Sequence, residues 1–350
     1  MTGCRQTVHA SVNLRRMIRL AVAIFILSAS LSGAAIAQER VVIGTQRLTE
    51  NGALFLAAAQ GYFKAEGIDL AMTAYDSDQM VAETLAAGVT DFGLAHFTPA
   101  AFNFAATGLL KAVAAQAREK RDFEGAEMVA SAAGFISGLH KFDNLAGKSI
   151  GIDALGSSSH YQLAQIARIK HIDPDRITIK ALQTLDALAR AVGTGQVDAA
   201  IMPAPYAREL LVANQAKFIG WYSELDEQQL GALFVSTKMV AQRRAVVEKF
   251  VRAYRRGVAD YAAALLRKDV HLKRTSDTKS REAAAVIARY VYPDRGDEGA
   301  AAVEAGAYYI DPQARLDVAD IERQIAWYKA KGLVNKNVDA RDIVDSSFVK

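Results

Sequence analysis

The chain has 350 residues, 51% hydrophobic and 23% charged, with six prolines and no low-complexity tract, which excludes a disordered or fibrous protein. The formal net charge of +4 sits in the first 37 residues, which carry Arg5, Arg15, Arg16 and Arg19 and no acid. The remainder balances at 38 basic and 38 acidic residues, so its charge gives no ground for a nucleic-acid partner.

Arg15, Arg16 and Arg19 precede an apolar run from Leu20 to Leu31, and Ala35-Ile36-Ala37 supplies small residues for cleavage. This pattern predicts a secretory signal peptide over residues 1–37, with Gln38 the first mature residue. The apolar run is too short to span a membrane. Met17 is an alternative start, and Arg15-Arg16 leaves the twin-arginine and general export routes both open. Cys4, the single cysteine, lies in this leader. The mature chain is therefore expected to hold no disulfide, no thiolate metal site and no cysteine nucleophile.

Val41 to Thr45 reads as a buried strand, and Gly52 to Gln60 as an Ala/Leu helix stopped by Gly61. Ile68 to Thr73 alternates as a second strand. Asp78 caps a helix through Ala87, and Phe92 to Ala95 forms a third strand. Thr98-Pro99 opens the next helix. A second set follows: strands at 148–152, 177–182, 199–202 and 218–221, alternating with helices from Ser157 or Ser158 to Lys170, at 185–192 and at 206–213. Such β-α alternation predicts mostly parallel sheets. The extended segments 126–131 and 230–236 flank the second set and read as a two-stranded hinge. Apolar residues from Val246 to Leu265 recur every three or four positions, one face of a long helix, and Val318 to Tyr328 repeats the pattern.

One corner is built twice. Gly88-Val89-Thr90-Asp91 and Gly195-Gln196-Val197-Asp198 each end an Ala-rich helix, precede a four-residue apolar run and lead into a loop with Pro99 or Pro203. Two similar α/β lobes are expected, with Asp91 and Asp198 structural at the start of each strand.

Several segments, taken in order, resemble one family. They are Ala53 to Leu70 with its Gly61-Tyr62-Phe63 core, the Gly88-x-x-Asp91 corner, Asn144 to Ile152 with Gly156-Ser157-Ser158, Gly195 to Ala199 with Pro203, and the helix from Val246 to Tyr254. Over residues 41–265 the chain is similar to the periplasmic substrate-binding proteins of nitrate/sulfonate/taurine-type ABC transporters. The resemblance implies an α/β fold of type II periplasmic-binding-protein architecture: two mixed, mostly parallel sheets joined by a two-stranded hinge. The implied organisation is a leader at 1–37, lobe 1 at 38–128, lobe 2 at 129–230, and a return to lobe 1 with C-terminal helices at 231–350. It further implies a monomeric, non-enzymatic periplasmic protein without cofactor or metal. Its partners would be a small-molecule solute and a permease with a cytoplasmic ATPase; a sensor kinase in place of the permease stays open.

In open α/β sheets, ligands sit beyond the carboxyl ends of the strands. Four loops qualify: Gln46, Arg47 and Asn51; His96, Phe97 and Thr98; Gly156, Ser157, Ser158 and Ser159; Pro203 and Tyr206. The third loop combines glycine, hydroxyl donors and a helix N-terminus, which suits a sulfonate or carboxylate. Its serines serve equally as helix caps. Arg47 either pairs with an anion or lies on the surface. His96 either donates to a ligand or meets a local carbonyl. Phe97 and Tyr206 either wall a pocket or pack. Asp76 and Asp78 lack metal-ligand spacing and read as solvated turns. The expected solute is a small organic anion. The alternative is a pyrimidine or thiamine-precursor binding protein, or an enzyme on the same scaffold.

Overall fold

The computed structural model describes residues 38–349, and the predicted leader lies outside them. The chain starts with strands β1 (Glu39–Thr45), β2 (Ile68–Ala74), β3 (Phe92–His96) and β4 (Leu110–Ala115). It leaves through the short β5 (Arg118–Glu119) into β6 (Glu127–Ser131), β7 (Ser149–Ile152), β8 (Thr178–Ala181), β9 (Ala199–Met202) and β10 (Ala216–Trp221). It returns through β11 (Gln228–Gln229) to β12 (Gly231–Ser236). Helices run between most strands, and the chain beyond β12 is mainly helical.

Two five-stranded sheets result, ordered β2-β1-β3-β12-β4 and β10-β6-β9-β7-β8. Read from β2 and from β8, they are built alike. β1 pairs in parallel with β2 and β3, as β7 does with β8 and β9. β12 runs antiparallel to β3 and β4, as β6 does to β9 and β10. Each sheet is thus mixed and mostly parallel in strand direction: four strands run one way, and β12 or β6 runs against them.

The expected hinge strands are placed differently. Segments 126–131 and 230–236 do not pair with each other; each enters a lobe as its antiparallel strand. Their composition explains this. Glu-Met-Val-Ala-Ser and Gly-Ala-Leu-Phe-Val are buried throughout, as strands covered on both faces are. The two-stranded connection is instead β5 with β11, pairing Glu119 with Gln228 and Arg118 with Gln229.

The twin corners do the same work in both lobes. Gly88 and Gly195 adopt φ of 72° and 73°, a left-handed turn open to glycine. Asp91 then accepts a hydrogen bond from the Val42 N–H at 2.9 Å, and Asp198 from the Ser149 N–H at 2.7 Å. Asp91 thus holds β1 against β3, and Asp198 holds β7 against β9. The long helix Arg244–Leu265 buries its predicted apolar face on the first sheet, where Phe250 stacks on Phe92 with centroids 3.9 Å apart. No helix among the described residues is long and apolar enough to cross a membrane.

Candidate functional site

The carboxyl ends of β1, β3, β7 and β9 converge on a cavity of about 160 Å³ between the two sheets. Of the residues expected at the site, Gln46, His96, Thr98, Gly156, Ser157, Ser158, Ser159 and Pro203 line it. Thr98 also caps the helix Pro99–Ala106, accepting from the Ala101 N–H at 3.2 Å. Pro203 precedes the helix Ala204–Val212.

Four expected residues do not line the cavity. Arg47 is exposed and faces a separate groove, which Tyr206 shares with Asp186, Glu209 and Arg295. Asn51 is buried and holds the β1 exit loop, donating to the Gln46 carbonyl at 2.9 Å while Gln116 donates to its Oδ1 at 2.5 Å. Phe97 is 1% exposed and stacks on Phe102, with centroids 5.2 Å apart, inside lobe 1. An alternating side chain after a buried strand had equal reason to face inward or outward, and Phe97 faces the core.

His96 is the centre of the polar wall. Its Nε2 lies 2.9 Å from Glu50 Oε1 and its Nδ1 3.6 Å from Asp78 Oδ2. Its own N–H donates to Asp78 Oδ1 at 2.9 Å. Burial pulls the imidazole pKa down, but the charges of Glu50 and Asp78 outweigh it and raise the value to about 10. His96 is therefore an imidazolium at neutral pH, and its Nδ1 donates to Ser158 Oγ of the other lobe at 3.1 Å. Asp78, expected in a solvated turn, is a partly buried partner of this cation. The turn reading missed it because the chain folds Asp78 back over the end of β3.

The serine loop is also pre-empted. Ser157 Oγ and Ser159 Oγ both donate to Asp153 Oδ1, at 2.7 and 2.5 Å. A carboxylate of the protein thus already sits on the hydroxyls expected to take a ligand anion. Gly156, at φ 85°, lets the loop approach the other lobe: a Cβ there would lie 2.6 Å from Pro99 Cγ. Its carbonyl accepts from Tyr328 Oη at 2.8 Å.

Sequence reasoning missed Glu50, Asp153, Glu119 and Tyr308, which also line the cavity. Asp153 directly follows β7, so the strand-end rule pointed to it. Glu119 lies on the hinge strand and Tyr308 in a C-terminal loop, where no local pattern marked them. Glu119 is fully buried, and burial pushes its carboxyl up to about 8. Glu50, Asp76, Asp78, Glu119 and Asp153 face the cavity with His96, and among the described residues neither lysine nor arginine does.

The family model described as NMT1/THI5 like matches residues 49–264, more than half of the chain and most of both lobes. The chain belongs to the NMT1/THI5-like family. No curated protein matches it in sequence. Among solved structures, this NMT1/THI5-like chain is similar to the periplasmic aliphatic sulphonate binding protein SsuA of Escherichia coli. The TM-score is 0.68 at 17% identity, over 88% of this chain and 92% of that one. It is also similar to the alkanesulfonate-binding protein SsuA of Xanthomonas axonopodis pv. citri bound to MOPS. There the TM-score is 0.67 at 18% identity, over 89% and 100%. The desulfurization enzyme DszB shares the fold, with a TM-score of 0.62 at 16% identity, over 89% and 98%. At these identities the likeness establishes the two-lobed periplasmic-binding-protein fold for this NMT1/THI5-like chain, a fold that also carries an enzyme.

Proposed function

We propose that this protein is the solute-binding component of an ABC import system. It is exported to the periplasm as a monomer, closes its lobes on a small organic solute and hands it to a permease with a cytoplasmic ATPase. The observation that carries this reading is a single cavity walled by strand ends of both lobes, beside which His96 of one lobe meets Ser158 of the other. A solute touching both walls favours the shut arrangement by the contacts it makes only there. The solutes in the names of the SsuA proteins agree in kind with capture of a small organic molecule, but the expected anion is not carried over. Arg47 faces away, and Ser157 and Ser159 are committed to Asp153.

An enzyme of pyrimidine-precursor chemistry on this scaffold is the competing reading, and DszB shows that the fold tolerates catalysis. His96, held as a cation by two carboxylates, has no lone pair at neutral pH with which to act as a base. The test is to purify the processed protein from a periplasmic fraction, release its bound small molecules with denaturant and identify them by mass spectrometry. The expected result is a solute that rebinds and dissociates chemically unchanged. At about 100 times its Kd, it should stabilise the fold by ~2.7 kcal/mol. Conversion of that solute to a product would favour the enzyme.

A further inference from the structure

We propose that the solute is an organic cation, whose protonated nitrogen is seated on Glu50 Oε2 and drawn in by the carboxylates around it. The inference rests on the solute-binding reading and names the ligand class of that same cavity. Glu50 is 2% exposed, and its two oxygens have different surroundings. Both are buried without a hydrogen bond, but Oε1 has the ion pair with His96 Nε2 at 2.9 Å, whereas Oε2 has no charged partner. A buried carboxylate oxygen left unpaired is costly, and a ligand N–H donor would relieve that cost. Glu119 Oε2, also buried and unpartnered, becomes a second charged acceptor in the same wall once its carboxyl ionises above about pH 8.

The charge balance points the same way. His96 is the one cationic side chain lining the cavity among the described residues, and it is already shared by Glu50 and Asp78. Asp153 is satisfied by Ser157 and Ser159. The N-terminus of the helix Ser158–Ile169, a position that elsewhere holds anions, here has the protein's own Asp153 on its serine hydroxyls. An entering anion would meet Glu50 and Asp153 without an arginine or lysine to offset them. Leu48, Leu155, Leu185, Ile201, Met202 and Leu230 give the wall apolar stretches that suit an organic body, between polar side chains such as Gln46, Gln162 and Gln183. Among the described residues no group of His, Cys, Asp and Glu is arranged to hold a metal ion, so an organic cation fits the seat better than a metal.

The test uses two series matched in shape and differing in charge, added to the purified, processed protein. One is benzamidinium, benzamide, benzoate and benzenesulfonate; the other is n-butylammonium, n-butanol and butanesulfonate. Thermal shift and calorimetry at millimolar concentration should show the cations stabilising the protein and the anions failing to. Glu50→Gln keeps the shape and removes the charge. It should weaken benzamidinium binding at least tenfold and benzamide binding by much less, with circular dichroism checking that the variant folds. Should that variant misfold, Glu119→Gln, measured above pH 8 where the wild-type carboxyl is ionised, should weaken the cation alone. Stabilisation by anions or neutral compounds but no cation would overturn the inference and leave solute capture standing. Unchanged cation binding in a folded variant would also overturn it. Binding of no compound in either series would overturn both readings.

Discussion

The carboxylates around His96 set the sign of this protein's response to pH. The imidazole value rises from 6.5 unfolded to about 10 folded, so its contribution is complete below pH 6.5 and is lost as pH rises through 10. The Glu119 carboxyl rises from 4.5 to about 8 because burial favours its neutral form. Its contribution is largest below pH 4.5 and declines to a floor above pH 8. Between these limits the folded state binds more protons than the unfolded chain, so stability falls with rising pH from both groups. The melting temperature of the ligand-free protein should therefore drop steadily from pH 6.5 towards 10. His96→Gln should lower it at pH 6.5 and flatten the slope, and a variant curve parallel to wild type would place the effect elsewhere. This coupling was invisible in sequence. His96 could be placed at a strand exit, but Glu50 and Asp78 reach it only after three separate segments have folded together.

Elements with strong periodicity were legible, and those without it were not. The face from Val246 to Leu265 predicted the long helix because eight apolar side chains recur at helical spacing. β4 was missed because Leu-Lys-Ala-Val-Ala-Ala carries little strand preference and owes its state to pairing with β12. β5 and β11 were missed because two residues each, Arg-Glu and Gln-Gln, form no apolar run. Packing at the long helix gives a prediction whose sign opposes propensity. In an exposed helix, Gly→Ala stabilises by about 1 kcal/mol. At Gly257, however, the helix presses on Gly52–Ala59, and a Cβ would collide with the Ala53 carbonyl oxygen and lie 2.6 Å from Ala57 Cβ. Gly257→Ala should therefore destabilise the protein by roughly 1–3 kcal/mol, seen as a lower urea midpoint with unchanged slope.

Across the whole molecule, the C-terminal helix Val318–Ala330 links the hinge to the cleft. Near its start, the buried Asp320 accepts from the Gln229 N–H of β11 at 2.6 Å, and Gln324 donates to the Gln229 carbonyl at 2.8 Å. These bonds fix the return strand of the hinge to lobe 1, where Ile321, Ile325 and Tyr328 are packed. Near its end, the helix reaches over to lobe 2. Trp327 meets Tyr161 edge-on, with centroids 5.3 Å apart, and Tyr328 Oη donates to the Gly156 carbonyl. That last bond joins the two lobes from a position off the cavity wall, so in the closure proposed above it would favour the shut arrangement. Tyr328→Phe removes the hydroxyl and keeps the ring in its core. The lost bond is worth ~1 kcal/mol, which predicts about fivefold weaker solute binding. The loss should appear mainly as faster dissociation. Small-angle scattering should show the variant more extended than wild type without solute and equally compact once saturated. Equal affinity and equal dimensions in both proteins would show that the tyrosine only packs, and that closure is governed by His96 and Ser158.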